Sequence, residues 1–185
     1  MAALPCQPHA EVFTEDFSSL AYCDTAQTTA CWDAASGTLH DAPWLIPAPP
    51  DLSTRDGRPA LAIFEQKVCA GCDEMHAEGF PRPEVAALLQ RYRAARVDIA
   101  ANEVLKTPNG KSLPMRDWAR QLKIAYTPSF VFFDAGGREV FRVEGYLRPF
   151  HLASSLDYVA SGAYRKQPEF QRFIEARAAA RREKG

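Results

Sequence analysis

The sequence predicts an α/β protein: a mixed central sheet with helices on both faces, preceded by an N-terminal extension. Three observations carry that reading. From Arg58 onward the hydrophobic patterns run strand, helix, strand, helix, strand, strand, helix. Ala60-Leu61-Ala62-Ile63-Phe64 has the length and continuity of a strand buried on both faces. Ser129 to Asp134 and Glu139 to Val143, joined through Gly136-Gly137, demand an antiparallel hairpin.

Taken in order, residues 11–39 hold short alternating pieces broken by Asp, Ser and Gly, the mark of short strands or irregular structure. Four prolines between 43 and 50 then impose an extended strap or semi-rigid linker. Trp32, Trp44, Leu45 and Ile46 are too large and apolar for a free tail, so the extension is expected to pack on the domain. After the first strand, residues 83–93 open on Pro83 and repeat Val85, Leu88, Leu89 and Tyr92 at a helical period. Arg96 to Ala100 reads as the second strand, and Asn102 to Leu113 as a polar insertion with a Pro108-Asn109-Gly110 turn. Met115 to Ile124 is a short helix, and residues 149–161 and 168–184 supply two more. The organisation is thus an acidic, proline-rich extension (1–57), a compact domain (58–163) and a basic C-terminal helix (164–185).

Composition excludes several classes. Twenty aromatics and 46% hydrophobic residues in 185 exclude a disordered chain, and five cysteines are too sparse for a disulfide miniprotein. No run approaches the roughly 18 apolar residues of a membrane span, and no intact signal peptide is expected. A net charge of −1 hides an asymmetry: residues 1–50 hold six acids and no Lys or Arg. The last 21 residues hold seven Lys or Arg against three acids. Without interleaved stacking aromatics this is a solvated helical face, and no nucleic acid is expected as a partner.

Chemistry concentrates at Cys69-Ala70-Gly71-Cys72, just past the first buried strand, at the carboxyl edge where α/β folds place their sites. Two thiols at this spacing close a small disulfide ring. The first sits near a helix N-terminus, whose partial charge favours the thiolate, the attacking species in disulfide exchange. Cys69 is therefore the expected nucleophile, and Cys72, one turn further in, the resolving thiol. Lys67 beside the motif also favours a thiolate. A rival reading makes Cys69, Cys72 and His76 a Cu/Zn-binding or metal-delivery set, since His76 falls four residues after Cys72. A third is a noncatalytic interaction module working through its extension.

The second element is Tyr126-Thr127-Pro128-Ser129-Phe130, where a proline opens a very apolar strand. With Cys-x-x-Cys, Thr-Pro and the Gly-Gly hairpin arriving in order, residues 58–163 resemble the thioredoxin superfamily. They are most similar to its extracytoplasmic SoxW-type, thioredoxin-related group. The polar insertion, Leu122 to Ser129, Phe132 to Val140, Glu144-Gly145-Tyr146 and Tyr158 to Tyr164 carry that closer likeness. The resemblance implies a cis Thr127-Pro128 bond beside the sulfurs, with Thr127 and Pro128 docking a substrate strand. It implies a periplasmic oxidoreductase acting on protein disulfides, reductase rather than oxidase or isomerase, with an upstream thiol donor. No cofactor is then required beyond the Cys69–Cys72 pair.

The chain departs from cytosolic thioredoxin in several places. Val68 stands where Trp precedes the first Cys, and Ala70-Gly71 replaces Gly-Pro. The buried acid six residues before the first Cys, the proton acceptor of the family, is Ile63 here. Glu65 is the candidate substitute as proton acceptor or pKa-tuning group, although a surface Glu is the commoner reading. Cys23 and Cys31, eight residues apart, are candidates for a structural disulfide, and Cys6 is left as an unpaired thiol.

Overall fold

A computed structural model describes residues 22–23, 31–33, 38–40, 42 and 44–183. Expectations about Cys6 and the rest of residues 1–41 lie outside these. Three short strands, β1 (Tyr22–Cys23), β2 (Cys31–Asp33) and β3 (Thr38–His40), pair antiparallel. The backbone register sets Cys23 opposite Cys31, while the side chains of these strands fall outside the description.

The central sheet has four strands in the order β5-β4-β8-β9, comprising β4 (Ala60–Glu65), β5 (Arg93–Asp98), β8 (Ser129–Phe133) and β9 (Glu139–Glu144). β4 runs parallel to β5 and antiparallel to β8, and β8 pairs antiparallel with β9, giving the expected mixed sheet. Period-two alternation divides its side chains between two cores. Leu61, Ile63, Phe130 and Phe132 face one layer, built from α1 (Ala70–Glu74), a π-helical turn (Met75–Gly79), α2 (Pro83–Leu89) and α4 (Pro149–Ala160). Ala62, Phe64, Val131 and Phe133 face Trp118 of α3 (Met115–Gln121). Proline at the first positions of α2 and α4 suits their starts, where no backbone donor is needed.

The second strand begins three residues earlier than its pattern predicts. β5 starts at Arg93 because the backbone ladder to Ala60 begins there, and α2 ends at Leu89. Buried Arg93 and the alanines between it and Arg96 hide a strand that composition alone does not mark. The polar insertion is itself a hairpin, β6 (Val104–Lys106) with β7 (Ser112–Pro114). It closes against the β8–β9 turn at Gly137. That residue has φ +82°, and a Cβ there would stand 2.6 Å from the Pro108 carbonyl oxygen.

Residues 44–52, grouped by sequence with the extension, lie on the sheet. Leu45 bridges parallel to Ala94, Ile46 N–H donates to Ala94 O at 2.9 Å, and Leu52 N–H donates to Lys106 O at 2.8 Å. The strap thereby covers the free edge of β5, an edge that would otherwise expose unpaired backbone groups. Trp44 and Leu45 pack on one core and Ile46 on the other. At the other end, α5 (Phe170–Arg182) is not purely solvated. Phe170 and Phe173 reach Tyr158, with centroids 5.0 and 5.1 Å away, and Arg177 pairs with Asp157 and Glu84. Among the described residues, no helix is long and apolar enough to cross a membrane.

Candidate active site

The buried run of β4 ends at Glu65, and the chain turns through the exposed residues Gln66, Lys67 and Val68 before entering α1. Cys69 caps that helix, its sulfur and carbonyl oxygen accepting from Cys72 N–H at 3.1 and 2.9 Å. The two cysteines are joined in a disulfide with S–S 2.03 Å and Cα atoms 5.2 Å apart. Cys72 is the more deeply buried of the two. Lys67 is exposed beside the pair.

The Thr127–Pro128 peptide is cis, as is Ala48–Pro49. Pro128 stands directly against the loop between the cysteines and is buried there. Its carbonyl oxygen accepts from Gly145 N–H at 2.8 Å, and Ser129 Oγ donates to Tyr126 O at 2.7 Å, so both sides of the proline are tied down. Two large apolar side chains flank these elements in the open: Val68 is 85% exposed and Tyr126 67%. Tyr146 lies against the same loop. Desolvation first, then its hydrogen bond with Glu74, raises its hydroxyl above the usual phenol value.

Glu65 is not on the surface. It is 7% exposed and accepts from His76 Nε2 at 2.8 Å, with Arg96 Nε 3.4 Å from its other oxygen. The reason is register: Leu61, Ile63 and Glu65 share one face of β4, which the α1 layer covers. His76 is equally buried and rests edge-on against Phe80, centroids 5.0 Å apart, with Trp44 behind Phe80 at 5.2 Å. This pairing was missed in the sequence, yet two periodicities carry it. Glu65 continues the odd-numbered face of β4, and Cys72 and His76 share a helical face four residues apart. Of the proposed metal set Cys69, Cys72 and His76, the two sulfurs are bonded to each other in this structure and Nε2 of His76 meets Glu65. Among the described residues, no group of three or more His, Cys, Asp or Glu is gathered for a metal.

A mixed sheet with Cys-x-x-Cys at the first helix start, packed on a cis X-Pro that opens a central strand, defines a thioredoxin-like α/β protein. Residues 51–160 match the family model described as a thioredoxin-like domain, and the chain belongs to that family. No curated protein matches it. Among solved structures, it resembles a thioredoxin-fold protein from Helicobacter pylori at TM-score 0.60 and 16% identity, covering 74% of this chain and 90% of that one. A thioredoxin from Thermus thermophilus aligns at 27% identity and TM-score 0.48, over 63% of this chain and 85% of that one. The DsbD C-terminal domain from Neisseria meningitidis aligns at 19% and 0.42, over 54% and 78%.

Proposed function

We propose that this protein is a thiol–disulfide oxidoreductase acting on protein disulfides through Cys69 and Cys72. The observation that carries the reading is the Cys69–Cys72 disulfide capping a helix against the cis Thr127–Pro128 segment. A dithiol there holds two electrons, so the pair can pass them without an added cofactor. In the reductive direction, the Cys69 thiolate attacks one sulfur of a substrate disulfide, and the other substrate sulfur leaves with the electron pair. Cys72 then attacks Cys69, which frees the second substrate thiolate and oxidises the pair. An upstream thiol donor restores the dithiol.

Exposed Lys67 favours the Cys69 thiolate by its charge. Thr127, set in place by Pro128, offers its backbone groups beside the dithiol turn to an extended substrate segment, with Val68 and Tyr126 as apolar contacts on either side. We place the protein in the extracytoplasmic SoxW-type group, working in the bacterial periplasm, with reduction of substrate the favoured direction. The test is turnover of a protein disulfide by wild type beside Cys69→Ser. Loss of turnover in the variant is expected, and equal rates would overturn the assignment. A reduction potential near about −270 mV fits a reductase, and one near about −120 mV an oxidase.

A further inference from the structure

We propose that His76, oriented by Glu65, is the base that takes the proton of the Cys72 thiol; this rests on the dithiol reading above. Glu65 and His76 are each 7% exposed and joined at 2.8 Å. A carboxylate only accepts hydrogen bonds, so Nε2 carries a proton in this pair, and the neutral imidazole, the form that acts as a base, has its lone pair on Nδ1. Nδ1 is buried with no hydrogen-bond partner. An orphaned buried polar atom is costly to keep, which calls for a use.

Cys72 supplies one. It sits four residues before His76 on the same helical face, where neighbouring Cβ atoms are about 5–6 Å apart. At 3% exposure its thiol has little water to receive a proton, and Ile63, next on the same face of β4, is apolar. The charged groups facing His76 from packed elements are Glu65 of β4 and, behind it, Arg96 of β5. Its own helical segment adds Cys72, while Asp73, Glu74 and Glu78 are exposed. Phe80 packs edge-on against the ring, with Trp44 behind Phe80.

In the resolving step, substrate is bound to Cys69 as a mixed disulfide. His76 Nδ1 takes the proton from Cys72 Sγ, and the thiolate attacks Cys69 Sγ. The Cys69–substrate bond breaks, its electron pair leaves on the substrate sulfur, and the Cys69–Cys72 bond forms. The pair is oxidised, the substrate is reduced, and its thiolate is protonated by solvent. The proton on His76 returns to Cys72 when the thiol donor reduces the pair.

The step is read by mixing reduced full-length protein with a substoichiometric aryl disulfide whose thiol product is coloured. Attack by Cys69 releases one thiol, and ring closure by Cys72 releases the second. Cys72→Ser, lacking closure, identifies the second phase. With His76→Gln, the second phase is expected to slow at least about tenfold at neutral pH. The deficit should narrow as the pH rises past about 8.5, where thiols begin to ionise without a base. Glu65→Gln should give the same pattern and carries the test if His76→Gln does not fold. A second phase unaffected by both variants, or slowed by one constant factor at every pH, overturns the proposal. Absence of a second phase in wild type overturns the dithiol reading itself.

Discussion

Gly71 rests against Pro128: a Cβ built on the glycine would stand 3.1 Å from the proline Cδ and 3.6 Å from Tyr146 Cβ. The first turn of α1 and the proline segment are therefore packed more tightly than an ordinary Cβ contact. A proline ring cannot rotate aside, so any added methyl must move the loop or the strand by tenths of an ångström.

Gly71→Ala is accordingly expected to lower kcat/KM on a protein disulfide by about two- to tenfold, because small misplacement of reacting groups is costly. Parallel melting curves separate this from instability, and a shift within about 4 °C is expected. An unchanged kcat/KM would show that the close contact does not position substrate.

Trp44 connects the strap to the layer that carries the site, through Phe80 and then His76. Truncating a half-buried Trp to Ala should cost about 1–2 kcal/mol, below the usual value for a fully buried one. Thermal melting should fall by about 2–8 °C. Melting equal to wild type would mean that the packing of Trp44 on Phe80 contributes nothing to the fold.

Asp51 fastens the same strap. Hydrogen bonds from the Ser53 side chain and backbone, then the nearby Lys106 ammonium, hold its carboxyl below the ordinary value. A group depressed on folding stabilises above its unfolded pKa, about 3.9, and loses that contribution as pH falls through its folded value. Asp51 is half-exposed, so the contribution stays below about 1 kcal/mol. Asp51→Asn should lower melting at neutral pH by less than about 4 °C, with the gap shrinking below about pH 3.9. A gap constant into acid would contradict this account.

The backbone register of β1 and β2 sets Cys23 directly opposite Cys31. Opposed residues in an antiparallel pair have Cα atoms about 4.5 or 5.5 Å apart, within the range a disulfide bridges. Protein made in an oxidising compartment should yield a linked peptide holding both residues on digestion without reductant. Free, alkylatable thiols at 23 and 31 would rule the bond out.

Much of this molecule is legible in its sequence. The buried run of β4, the β8–β9 hairpin and the cysteine pair announce themselves by continuous hydrophobicity, a Gly-Gly turn and fixed spacing. The boundaries of β5 do not, because its arginines and alanines gain strand structure only from the ladder to β4. The insertion hairpin is similarly silent, its strands being three residues long and half polar. Glu65 misleads for a different reason. A carboxylate is rarely buried unless paired, and its partners, His76 and Arg96, come from elements separated in sequence. The alternation along β4, followed one residue beyond its apolar run, and the four-residue spacing of Cys72 and His76 point to the site.

The most direct test of the central claim is capture of substrate by Cys72→Ser. Without the resolving thiol, the reduced variant mixed with a disulfide-bonded protein should accumulate a covalent complex. Reductant should release it, and peptide mapping should place the link at Cys69. A complex linked elsewhere, or none with Cys72→Ser while wild type turns over the same substrate, would contradict the assignment of Cys69 as the attacking thiol.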